Sequence, residues 1–151
     1  GWEINSSYRY NISKNTKVEL QAFMDLVKNE NVSQDHMRQW AEGDYMPNLP
    51  TSRYGFTGMF SHDGLFFSAT LERFLKQRFL GKNINLELPM PAYSLLQAQL
   101  AYQFKWLSIP MKTVLSGSNL LNAEARPQNS ILKYLAPLPG RNVSLSIQFS
   151  I

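Results

Sequence analysis

Cysteine is absent from this chain of 151 residues, and histidine occurs only twice. The first absence excludes a disulfide scaffold and any zinc site built on thiolates. It leaves the redox compartment open, because a cysteine-free chain tolerates oxidising surroundings equally well. No apolar run approaches the ~18 residues of a transmembrane helix. Charge is sparse as well: 15 basic residues against 11 acidic give a net +4, with no Lys/Arg run, so no nucleic-acid partner is expected. There is no Gly-x-Ser-x-Gly element, no His-Glu-x-x-His element and no phosphate loop. Neither an enzyme activity nor a cofactor is therefore expected. No signal peptide or initiating Met is present, and Gly1 begins inside patterned sequence, which predicts a mature or cut product. The length fits one domain.

What the chain does contain is period-two alternation. In residues 142–151, Val143, Leu145, Ile147, Phe149 and Ile151 fall on one face, and Ser144, Ser146, Gln148 and Ser150 on the other. Successive strand side chains point to opposite faces, so this is a strand with one apolar and one polar side. Its ~10 residues match a tilted strand that crosses a bilayer. The pattern recurs over residues 2–10, 17–26, 53–61, 65–73, 95–104 and 107–117, which predicts seven strands. Phe23 breaks the alternation of the second. Residues 65–79 fit a helical period about as well as a strand, and residues 33–42, before Gly43, read as a short capped helix within a loop.

Connections alternate in length. Residues 12–16, the His62-Asp63-Gly64 turn and a turn at Lys105-Trp106 are short. Those at 29–52, 81–92 and 123–141 are long. This alternation, with aromatics at the ends of strands one, three, five and seven (Tyr8, Tyr10, Phe60, Tyr102, Phe104, Phe149), predicts an antiparallel transmembrane β-barrel. Short turns would face the periplasm, and loops 30–52 and 123–138 the outside. A soluble β-sandwich also alternates, though its core favours Val, Ile and Leu along whole strands.

Two segments near the end are more specific. Gly117-Ser118-Asn119-Leu120-Leu121-Asn122 is followed by Ala136-Pro137-Leu138-Pro139-Gly140-Arg141-Asn142 and the last alternating strand. Together they resemble the C-terminal end of the barrel of TonB-dependent outer-membrane receptors. Leu132-Lys133 before Ala136-Pro137 looks most like the zinc-type branch. The likeness is strong from about residue 117, and the strands before it look like the preceding wall. It departs at Ala125 or Arg126, where the family commonly has an aromatic soon after Asn-Leu-Leu-Asn, and at Ile151, where the family commonly ends on one.

The resemblance implies an all-β fold of seven C-terminal strands in a barrel of about 22, with the plug domain absent from this chain. It implies uptake of a scarce nutrient, a metal complex or siderophore, at the bacterial outer membrane. The implied partners are the remaining barrel strands, the plug, the outer-membrane lipid and an inner-membrane TonB-type energy coupler. A soluble or surface all-β binding module and a passive outer-membrane pore remain alternatives.

Read for local chemistry, Asn122 can bond its own backbone to start a turn, Pro139 and Gly140 bend the chain, and Arg141 reaches the rim. Asp35, His36, Glu42 and Asp44 are candidate ligand residues in an outer loop, since one His with carboxylates can hold zinc; an ordinary polar loop explains them too, and no metal is assigned. Glu3, Arg9, Glu19, Asp25, Arg53, Glu72 and Lys112 would share the polar, lumenal face. His62 reads as a solvated turn residue. The Asn-x-Ser sequons at Asn5, Asn11, Asn31 and Asn142 match the background of an Asn- and Ser-rich chain.

Overall fold

A computed structural model describes residues 1–30, 45–81 and 87–149. Its strands are β1 Trp2–Asn11, β2 Thr16–Leu26, β3 Arg53–His62, β4 Leu65–Phe74, β5 Tyr93–Trp106, β6 Ile109–Ser118 and β7 Asn142–Phe149. They form one antiparallel sheet in sequence order. Residues 65–74 are thus strand and not helix. Their helical periodicity is overridden by pairing on both sides, since each residue of β4 faces a partner in β3 and another in β5. The expected helix at 33–42 and the last residue of the terminal alternation, Ile151, lie outside the described residues.

Register confirms that the alternation is shared. Val18, Phe60, Phe67, Leu100, Leu115 and Leu145 form one continuous row across six strands. The next row on that face is Leu20, Gly58, Ala69, Ala98, Gly117 and Val143. The opposite face carries Gln21, Thr57, Thr70 and Gln97 in one row, with a hydrogen bond of 3.0 Å between the Thr57 and Thr70 hydroxyls. Among the described residues no layer covers either face of this single sheet, and the apolar face is left open: Phe56, Phe67, Leu71, Leu100, Leu115 and Leu145 are all exposed. The strands bury almost no apolar core, and only Tyr93, Ala101 and Val114, all on the polar face, are hydrophobic residues buried within them.

The turns are tight where the sequence is short. Asp63 and Gly64 have φ of 41° and 84°, and both positive values define the type I′ hairpin whose right-handed twist suits antiparallel strands. The β5–β6 turn lies at Leu107-Ser108 rather than Lys105-Trp106, with φ of 49° and 68°. Trp106 instead pairs with Ile109 inside the ladder, so Leu107 belongs to the turn and not to the apolar face. The sequence concealed this turn because neither Leu nor Ser advertises positive φ. The sheet does not close on itself: β1 and β7 each have one neighbour and run in the same direction.

Candidate functional site

All seven charged residues expected on the polar face lie there, since their register positions share one parity. The structure brings most of them into pairs. Arg53 Nε donates to Asp25 Oδ2 at 2.8 Å, and Nη1 to Glu72 Oε1 at 3.2 Å. The same guanidinium lies 5.1 Å from the Phe23 ring centroid and 5.9 Å from that of Phe74. Arg9 and Glu19, opposite each other in β1 and β2, pair at 2.9 Å.

Phe23 breaks the alternation for a visible reason. It faces Gly55 in the next strand, and a Cβ at Gly55 would come within 2.5 Å of the Phe23 ring. The ring occupies the space the glycine leaves and supports Arg53. An aromatic laid over a cross-strand glycine stabilises the pair that would otherwise be the weakest in the ladder.

At the end of the sheet opposite the tight turns, three long connections are tied together around a buried ion pair. Lys133 Nζ lies 2.5 Å from Glu87 Oε1, and each side chain is 3% exposed. Lys133 also donates to Asn48 Oδ1 at 2.7 Å and to the Gln128 carbonyl at 2.8 Å. Gln128 is 1% exposed; its Nε2 donates to Glu87 and its Oε1 accepts from the Met90 N–H, both at 2.8 Å. Burial opposes ionisation of Glu87, but the hydrogen bonds from Lys133, Gln128 and the Asn48 N–H outweigh it and hold the carboxyl below its ordinary range. Every buried polar side-chain atom among the described residues has a partner. A second, exposed tie joins Lys28 to Glu30 at 2.6 Å, with the Lys28 ammonium 5.6 Å from the Phe79 ring centroid.

The two halves of the motif near the C-terminus meet. Asn119, at φ 46°, donates from Nδ2 to the carbonyls of Ala123 at 2.9 Å and Pro139 at 3.1 Å, and accepts from the Ala123 N–H at 2.9 Å. Asn119 therefore builds the turn through its side chain, where the sequence suggested Asn122. Asn122 Oδ1 instead accepts from the Arg141 N–H at 3.0 Å, and a Cβ at Gly140 would approach that oxygen to 3.1 Å. Leu120 lies over Gly117 on the apolar face. Leu121 and Arg141 are exposed, and Asn142 opens β7 opposite Ser118. Ala125, one of the two positions at which the chain departs from the family, is fully buried.

The ligand candidates Asp35, His36, Glu42 and Asp44 lie outside the described residues. Among the described residues, no group of three or more His, Asp or Glu side chains is placed to hold a metal ion. His62 closes β3, its Nδ1 2.8 Å from the Thr16 hydroxyl and its Nε2 3.3 Å from Asp63. Ser61 beside it points to the other face. Sequence reasoning missed Glu87, Gln128 and Lys133. A polar trio scattered over 46 positions carries no local signal, apart from an unusually hydrophobic setting for Lys133 between Ile131, Leu132, Tyr134 and Leu135. No protein-family model matches this chain, and neither does any curated protein.

Proposed function

We propose that this sheet is part of the wall of a larger outer-membrane β-barrel, that of a TonB-dependent receptor which takes up a scarce nutrient such as a metal complex or siderophore. The observation that carries the membrane reading is that a continuous apolar face, six strands wide, is left uncovered by any other part of the described chain. In water that face would be a large aggregation-prone patch, whereas lipid is its natural solvent. Aromatics supply a second support. On this face Tyr10, Phe60, Tyr102, Phe104 and Phe149 lie toward the tight turns, and Trp2, Tyr54 and Phe56 toward the long connections. The rows of Ser94 and Phe104 are about 33 Å apart along β5, or about 25 Å once the strand tilts, the height of the apolar band of such barrels. Arg73, the one charge on this face within the strands, stands at the outer limit of that band and bonds Ser94.

Both edges support the larger barrel. An open edge in lipid strands about half the backbone groups of a ~10-residue strand, at several kcal/mol each. That exceeds the 5–15 kcal/mol that holds an ordinary domain together. The edges of β1 and β7 are therefore paired by strands beyond this sheet. The assignment to nutrient receptors rests on the resemblance of residues 117–142, to which the Asn119–Pro139 and Asn122–Arg141 bonds give a shared turn. Plug, energy coupler and transported ligand follow from that resemblance alone. The passive pore is separated by uptake that is ligand-specific and energy-dependent.

The test places an arginine on each face of β7. Leu145→Arg should cost about 2–4 kcal/mol of folding stability in detergent or lipid, and Ser146→Arg far less. Equal tolerance at the two positions, or a chain that is monodisperse without detergent, would favour the soluble sheet.

A further inference from the structure

The polar face is electrically polarised along the strands. Toward the long connections it carries Glu3, Asp25 and Glu72 against Arg53, and Arg9 and Glu19 pair with each other in the row next to that of Lys17. Beyond that pair, at the tight-turn end, the charges on this face are lysines. Lys17 lies in the row of Ser61, Phe66, Ala101 and Val114, Lys112 lies between Gln103 and Gln148, and Lys105 stands diagonal to Lys112. Lys14 is in the β1–β2 turn. None of these four pairs with a carboxylate among the described residues. The nearest acids are already engaged: Glu19, two positions from Lys17 on the same face, by Arg9 and Gln21, and Asp63 by His62. Two clefts open here, one of about 610 Å³ beside Lys105 and Lys112 and one of about 410 Å³ beside Lys14 and Lys17, and both are lined by Gly64 and Gln103.

We infer that this tight-turn end of the polar face is a docking surface for an acidic polypeptide segment. Charge complementarity sets the sign. Distance sets the class: Lys17 and Lys112 are four strand spacings apart, roughly 20 Å. A single phosphate or carboxylate cannot bridge that gap, whereas about six extended residues can. Chemistry between the lysine pairs agrees. Phe66, Ala101 and Val114 form an apolar floor for aliphatic groups, and the Gln103 and Gln148 amides can bond a peptide backbone. A bilayer is excluded as the occupant because the lipid-suited side of these strands is the other face. This last point rests on the face assignment proposed above.

The experiment measures fluorescence anisotropy of a labelled peptide of about eight residues, alternating Glu and Gly, against the protein in the detergent or membrane in which it is isolated. The Glu peptide should bind at least tenfold tighter than its Gln counterpart, and high salt should weaken it. Lys17→Gln with Lys112→Gln should lose about tenfold in affinity, mostly in association rate. Lys17→Arg with Lys112→Arg should retain binding, and Lys76→Gln, in the β4–β5 connection, should leave it unchanged. Equal binding of the Gln peptide overturns the inference, as does full competition by inorganic sulfate at equimolar charge. Peptide binding by a chain that proves soluble without detergent upholds this surface and removes the membrane reading. Absence of binding by a detergent-requiring chain removes this surface alone.

Discussion

The Lys133 ammonium and the Glu87 carboxylate, 46 positions apart in sequence, meet at 2.5 Å with both side chains out of solvent. A buried pair of this kind is a registration device: its net contribution is small, but the loss of one partner leaves the other charged and unsolvated. Lys133→Met should therefore destabilise the connections at 45–52, 87–92 and 119–141 by about 3–5 kcal/mol. Faster proteolysis of these segments, with the strands still protected, would show it.

The same pair makes the loop cluster acid-sensitive. The carboxyl of Glu87 is held below its ordinary value in the folded protein, so the folded form binds this proton more weakly than the unfolded form does. The stabilisation is fully present above the ordinary carboxylate range near pH ~4.3 and is lost as pH falls through the lowered folded value. Protection of the Leu88 and Met90 amides against hydrogen exchange, corrected for the intrinsic pH dependence of the rate and followed from neutral pH downward, should fall only below that range. Glu87→Gln should flatten the profile.

Leu107 holds φ at 49° with 84% of its surface exposed. The left-handed conformation costs roughly 1–2 kcal/mol per residue for an L side chain, and here it gains little packing in return. Leu107→Asn with Ser108→Gly should raise stability by about 1–2 kcal/mol. A higher urea midpoint with an unchanged slope is the expected result. A lower midpoint would mean that the Leu107 side chain does work at the tip that outweighs the strain.

Gly55 should not tolerate a side chain. An alanine there meets both the Phe23 ring at 2.5 Å and the Leu71 carbonyl oxygen at 3.0 Å. Gly55→Ala should cost about 1–3 kcal/mol. Adding Phe23→Leu should recover only part of this, because the carbonyl contact remains. Thermal unfolding of the two variants side by side reads the difference.

Asn119→Ala removes three hydrogen bonds that close the turn after β6 and places a Cβ at positive φ without a polar side chain to support it. The expected loss is about 1–3 kcal/mol. Asn119→Gly loses the same bonds but relieves the backbone, so it should cost less. Protease nicking within residues 123–138 is the sensitive readout.

Sequence alone determined the strands. Alternation is a local property, so Val143, Leu145, Ile147 and Phe149 announce both a strand and its faces without reference to any neighbour. Their boundaries failed where turn chemistry was silent, as at Leu107-Ser108, and agreed where Asp63-Gly64 declared itself. The assignment of Phe23 waited on the tertiary structure, because its reason is a glycine 32 positions away in the adjacent strand. Register also decided which charges pair: Arg53 reaches Asp25 and Glu72 only once β2, β3 and β4 are aligned. The loop cluster was illegible for a stronger reason. Glu87 comes from the β4–β5 connection and Gln128 and Lys133 from the β6–β7 connection, and burying a lysine is acceptable only where three-dimensional packing supplies its acceptors. Periodicity reports what each segment wants to face; only the folded chain decides what it faces.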